Sequence, residues 1–151
     1  MTRRPSWGRA GVLVLLLTLA TGCATPAIGS KDYRTKTSET AQGMTSAVNS
    51  ARLGARTWLQ GKSTSQYADT VVTHAEQDCG SISNVYDSRQ PPDEQSIALK
   101  DRIDPAIRTS CSTITDLRIA LRRGDRSQVR QALEDLKKPL ATFSKIEERL
   151  S

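Results

Sequence analysis

The sequence predicts an all-α protein, an antiparallel up-down-up-down four-helix bundle preceded by a signal peptide and a short tether. Three observations carry that expectation. Beyond position 31, apolar residues recur at spacings of three and four. Aromatic residues make up only 4% of the chain, so the core must be filled by Ala, Ile, Leu and Val, which favours packed helices over a β-sandwich. The first and third connections, at Gly61 and Gly124, are short, and short connections between helices make antiparallel neighbours. At 151 residues, 36% hydrophobic and 25% charged, the chain suits one soluble domain rather than a disordered polymer.

Arg3, Arg4 and Arg9 open the chain as a positively charged segment, and Ala10 to Ala20 follows as an apolar run interrupted only by Thr18. As a helix that run would reach about 16 Å, roughly half of a bilayer core of about 30 Å. It is therefore read as a signal peptide and not as a membrane span. Leu19-Ala20-Thr21-Gly22-Cys23 comes next. This resembles the lipobox of bacterial lipoproteins, with small residues before a cysteine and Ala20 where the pattern prefers Leu. The resemblance implies removal of residues 1–22 and a diacylglyceryl and N-acyl lipid on Cys23, with no other cofactor. It also implies residence on the outer face of the cytoplasmic membrane, where two or more alkyl chains give stable anchoring. The competing reading is an ordinary secretory signal with an incidental cysteine. Thr2 to Trp7 resembles a twin-arginine export signal, except that Ser6 stands where that motif wants a large apolar residue. Export is expected through the general secretory route, with the twin-arginine route as the alternative.

Losing Arg3, Arg4 and Arg9 lowers the formal charge from +6 to about +3. That is too mild to argue for nucleic acid, which an exported protein rarely meets.

Residues 23–31 contain Pro26, Gly29 and Ser30 without periodicity and are read as a lipidated tether to a bundle over 32–151. The first helix is expected from about Asp32 to Gln60, with a ridge of small residues at Gly43, Ala47, Ala51 and Ala55 beside Met44, Val48 and Trp58. Such a ridge lets helices approach closely. Gly61 fits the position after a helix end, and Ser63 with Gln66 fits a capping box. The second helix, about Thr64 to Tyr86, carries Ala68, Val71, Ala75, Cys79, Ile82 and either Val85 or Tyr86 on one stripe. The third starts near Pro92 or Asp93 and carries Ile103, Ile107, Cys111, Ile114, Leu117 and Leu121. Gly124 stops it, and Asp125 with Gln128 caps a fourth helix bearing Val129, Leu133, Leu136, Leu140, Phe143, Ile146 and Leu150. Pro105 and Pro139 lie inside helical patterns and should kink or locally break them. Asp104-Pro105 could divide the third helix, but the seam keeps its phase from Ile103 to Ile107, which favours a kink.

Three cysteines in an exported chain leave one unpaired. With Cys23 assigned to lipid, Cys79 and Cys111 form an even pair in an oxidising compartment. Counted from the two tight turns, Cys79 lies fifteen residues below Thr64 and Cys111 twelve below Arg123. The difference is about 4.5 Å, within reach of a disulfide between neighbouring helices. Two buried free thiols are the alternative.

Little else carries chemistry. His74 is the only histidine. With Asp78 it supplies half of a metal site and nothing nearby supplies the rest, so it is read as a polar residue flanking a seam and no metal is expected. Met44 and His74 are too few to support a haem. There is no G-x-S-x-G, no S-x-x-K and no phosphate loop, so the chain is not expected to be an enzyme.

Two features bear on partners. Arg118, Arg122, Arg123, Arg126 and Arg130 cluster around the third turn, where they could meet an anionic wall polymer or an acidic envelope protein. The blander reading has them complement a helix C-terminus and pair with Asp116, Asp125, Glu134 and Asp135. Secondly, Pro105 and Pro139 fall at similar depths, where kinks could open a small apolar pocket for a ligand.

From Cys23 onward the chain resembles small helical lipoproteins of high-GC Gram-positive bacteria. The resemblance rests on Gln90-Pro91-Pro92-Asp93, Asp101-Arg102-Ile103-Asp104-Pro105 and the run from Asp116 to Asp125. It covers the third helix and its flanks, and it implies a helical fold and an envelope address but no active residues. Cys79 and Cys111 are not part of that pattern. The expected role is a membrane-anchored, non-enzymatic interaction module, with a ligand-binding lipoprotein using a proline-kinked core as the alternative.

Overall fold

Five helical segments make up the computed structural model, which describes residues 29–150. The signal segment, Cys23 and most of the tether lie outside the described residues. The segments are α1 (Ser30–Leu59), α2 (Ser65–Asp87), α3 (Glu94–Arg123), α4 (Arg126–Asp135) and α5 (Lys137–Leu150), with no strand among the described residues. They amount to four packed helices, the fourth in two pieces. The expected all-α bundle is present.

The helix ends follow from local chemistry. α1 starts two residues before the expected Asp32, because the Gly29 carbonyl already accepts the Tyr33 N–H at 3.0 Å. It stops at a left-handed Gly61 (φ 71°), where Gly61 N–H reaches the Trp58 carbonyl and Lys62 N–H the Thr57 carbonyl. Those two bonds satisfy carbonyls that a helix end leaves unpaired. The capping residue of α2 is Thr64, whose hydroxyl accepts from Tyr67 N–H, and not the expected Ser63, whose hydroxyl lies 3.2 Å from that of Thr57. Asp93 caps α3 through Ser96 N–H at 2.8 Å. Gly124 (φ 68°) closes it, and Asp125 caps α4 through Ser127 and Gln128 N–H.

The two prolines behave differently. Pro105 lies within a continuous α3 on its exposed side, so the helix is not divided there. The fourth helix breaks at Leu136, and Pro139 falls in the first turn of α5. A first-turn residue needs no N–H partner within its own helix, so proline is tolerated there.

The core is aliphatic, as the composition implies. Met44, Val48, Ala51 and Ala55 of α1 are buried in one cluster with Ala68, Val72, Ala75 and Cys79 of α2 and the isoleucines and leucines of α3. Val72 takes the fully buried place expected of Val71, which is half-buried against Gly54. Tyr86 is buried while Val85 is 55% exposed. Close approach of α1 and α2 depends on two glycines. A Cβ on Gly43 would meet Ile82 at 3.1 Å, and one on Gly54 would meet Val71 at 3.0 Å. Among the described residues no helix is long and apolar enough to cross a membrane.

Candidate functional site: the arginine-bearing turns, the cystine and two surface hollows

The Gly61 and Gly124 turns lie side by side. Arg126, the first residue of α4, donates to the Leu59 carbonyl and stacks its guanidinium 5.2 Å from the Trp58 ring. That contact ties the end of α1 to the start of α4 through a cation–π interaction and a charge-assisted hydrogen bond.

The five arginines read from the sequence do not form one patch. Arg118 turns towards α2, where Nε donates to Glu76 Oε2 at 2.6 Å and Nη2 to Oε1 at 3.3 Å. Burial pushes the Glu76 carboxyl up. Hydrogen bonds from Arg118 and Thr115 outweigh it and hold the group below its ordinary value of 4.5. Arg122 pairs with Asp69 at 2.7 Å, which raises the pKa of its guanidinium. The acidic partners are therefore Glu76 and Asp69 of α2, not the expected Asp116, Asp125, Glu134 and Asp135. Arg123 and Arg130 are exposed and make no ion pair among the described residues.

Sequence reading missed Arg52 and Arg56, which belong to the same end. Arg52 Nε is buried without a partner. Burial, with Arg56 beside it, lowers the Arg52 pKa, and Glu134 of α4 partly offsets this. The spacing of four between Arg52 and Arg56 was the available signal, since it puts two like charges on one helix face.

Below the turns, Cys79 and Cys111 are joined in a disulfide with Cα atoms 5.6 Å apart. The depth count from the turns is matched by the geometry. Met44 Sδ packs 4.0 Å from Cys79 Sγ. A bridged sulfur carries no proton, so this is a packing contact.

The opposite end of α1 and α2 holds a feature with no sequence signal. Tyr33 and Tyr86 are both fully buried, and Tyr33 Oη donates to Tyr86 Oη at 3.1 Å. Thr37 Oγ1 donates to the Tyr33 carbonyl at 2.9 Å and lies 3.3 Å from Tyr86 Oη. Each hydroxyl has one proton, so Tyr86 donates to Thr37 and all three protons are used. Lys100 Nζ sits 4.9 Å over the Tyr86 ring, bridging Asp87 and Asp104 at 3.3 and 3.0 Å. Burial pushes the Tyr86 phenol far above its ordinary value of 10.0.

Two surface hollows flank α3 and α5. Pro105 and Pro139 do come together, lining a groove of about 360 Å³ with Arg102, Thr109 and Lys138. Neighbouring Ile107 and Phe143 are buried in the core, so the groove lies on the surface and not within the bundle. A second hollow of about 270 Å³ lies near the start of α1, between α3 and α5. His74 and Asp78 are both exposed, and no group of His, Cys, Asp and Glu among the described residues could hold a metal ion. No family model matches the chain, and no curated protein or solved structure matches it either.

Proposed function

We propose that the chain is a membrane-anchored extracytoplasmic lipoprotein acting as a non-enzymatic interaction module in the cell envelope. It is held by lipid at Cys23 after removal of residues 1–22. The observation that carries this reading is the Cys79–Cys111 disulfide. It takes up two of the three cysteines, fits an oxidising compartment, and leaves Cys23 as the odd one, directly behind the apolar run.

Contacts between the helices support the up-down-up-down course. Residue numbers rise along one helix as they fall along its neighbour, in the pairs Gly54–Val71 and Tyr33–Tyr86, Asp69–Arg122 and Asp87–Lys100, and Leu59–Arg126 and Thr45–Glu147. On that course the two arginine-bearing turns lie at the far end of α1, whose 30 residues make it about 45 Å long. They face away from the membrane. There the exposed Arg123 and Arg130, with Arg52 and Arg56, meet an anionic wall polymer or an acidic envelope protein. Arg118, Arg122 and Arg126 serve the bundle itself.

Fractionation of cells tests the anchor. Wild-type protein is expected with the membranes and the Cys23→Ser variant in the soluble extracytoplasmic fraction; a membrane-bound Cys23→Ser variant overturns the reading. The module is tested on immobilised anionic wall polymer, where R123Q/R130Q should be retained less than wild type. Equal retention removes the polymer as partner. The second reading, a ligand-binding lipoprotein, is favoured by the convergence of Pro105 and Pro139 on one groove; an apolar ligand there would raise the melting temperature.

A further inference from the structure

The hollow at the start of α1 combines an apolar part with a basic surround. Its apolar part is made by Leu99 of α3 with Ile146 and Leu150 of α5, and Arg34, Arg102 and Arg149 stand around it. Ile146 is buried, whereas Leu99 and Leu150 are only partly covered, although both pack on the core. The three arginines come from three different helices. None of them makes an ion pair with a described residue, whereas Arg118 and Arg122 at the other end each have a carboxylate.

Asp93 stands beside the hollow, hydrogen-bonded to Ser30 and Ser96 of its lining, and pairs with none of the three arginines. Its carboxylate accepts from the Ser30 hydroxyl and from Ser96 N–H, and these hydrogen bonds hold it below its ordinary value. The first N–H groups of α1 add to the positive field, because Gly29 supplies no side-chain cap and a helix N-terminus favours an anion. Long arginine stems commonly lie over apolar surface with their heads in water. Here three such arginines line one concavity, and none has an ion pair among the described residues.

We infer that this hollow binds an amphiphilic anion, a phosphate or carboxylate head held by Arg34, Arg102 and Arg149 with the first methylenes of its tail against Leu99, Ile146 and Leu150. Guanidinium forks match both head groups in geometry and charge. At about 270 Å³ the space is near the small end of ligand pockets, so it takes a head and the start of a chain, with the remainder outside. Arg102 also lines the proline groove, which gives an emerging tail a path along α3 and α5. The site goes beyond the anchoring reading and stands whether or not Cys23 carries lipid.

Calorimetric titration of the full chain bearing Cys23→Ser, which has no acceptor thiol for lipid at that position, separates the two questions. Decyl phosphate and decanoate are the probes, with inorganic phosphate and the neutral decyl glucoside as controls. Both anionic probes should bind, and each control at least ten-fold more weakly. R34Q/R102Q/R149Q should weaken the anionic probes at least ten-fold, as should Ala98→Trp, which fills the mouth from an exposed position without altering charge. Both variants should keep wild-type helicity and melting temperature. Stronger binding to decyl phosphate points to a phospholipid source, and to decanoate, a fatty acid. Absence of binding, equal affinity for decyl glucoside, or unchanged affinity in both folded variants overturns the inference.

Discussion

At the end of the bundle that carries the Gly61 and Gly124 turns, α2 and α3 are joined by charge. Arg118 grips Glu76 and Arg122 grips Asp69, both near the surface. At the other end of α2 the link to α1 is made of buried hydroxyls, Tyr33, Tyr86 and Thr37 in a closed chain of hydrogen bonds, with Lys100 over one ring. Water competes for the first kind of contact and is excluded from the second. A surface pair contributes little when made and costs little when broken. A buried hydroxyl stripped of its partner costs the full desolvation of that group. One end is therefore held by contacts that can be exchanged at little cost, while the other fixes the register of α1 against α2.

The largest effect is expected from the cystine, which lies between the two ends. C79A/C111A should lose about 4 kcal/mol in urea unfolding, since the bridge closes a loop of 32 residues. A loss below about 1 kcal/mol would show that the helices are held without it. Next comes Tyr86→Phe, which leaves the buried Tyr33 hydroxyl without an acceptor and should cost about 1–3 kcal/mol. Glu76→Gln breaks the best of the partly exposed pairs and should cost about 1 kcal/mol, less in high salt. If Glu76→Gln proves costlier than Tyr86→Phe, the contrast between the ends is reversed.

The contrast also has a pH signature. Glu76 titrates below its ordinary 4.5 in the folded protein, so its contribution is present above that value and is lost as the pH falls below it. Tyr86 is raised from 10.0, so its contribution is complete below pH 10 and declines above it as the unfolded phenol ionises. Lys100, whose pKa is raised from 10.5 by Asp104 and Asp87 against the opposing effect of burial, follows the same alkaline direction. Acid unfolding should then become shallower in Glu76→Gln and alkaline unfolding shallower in Tyr86→Phe, read by circular dichroism. The smallest effect is reserved for R123Q/R130Q, within about 0.5 kcal/mol of wild type, because both side chains are exposed and neither makes an ion pair with a described residue.

The apolar seams were legible because a helix repeats its faces every three and four residues, and the two turns because glycine alone takes a left-handed backbone without strain. Those two signals together placed Cys79 near Cys111. The exact rotation of each helix was less legible. Val71 and Val72 differ by a single 100° step, and only packing against Gly54 decides which is fully covered. Partner choice was not legible at all. Tyr33 and Tyr86 stand 53 residues apart. Arg118 finds Glu76 rather than Asp116 because the facing of α2 and α3 decides which carboxylate is within reach. The hollow of Arg34, Arg102 and Arg149 belongs to the same class, three helices contributing one charge each, with no spacing in the chain to announce it.

The proposed anchoring of this bundle rests on the disposition of three cysteines, and it can be tested directly by counting thiols in the mature protein, denatured but not reduced, alongside its intact mass. The account predicts no free thiol and a chain that begins at Cys23 with added acyl mass, because Cys79 and Cys111 are bridged and the proposed lipid would alkylate Cys23. One free thiol at Cys23, or a mature chain without acyl mass, would contradict it.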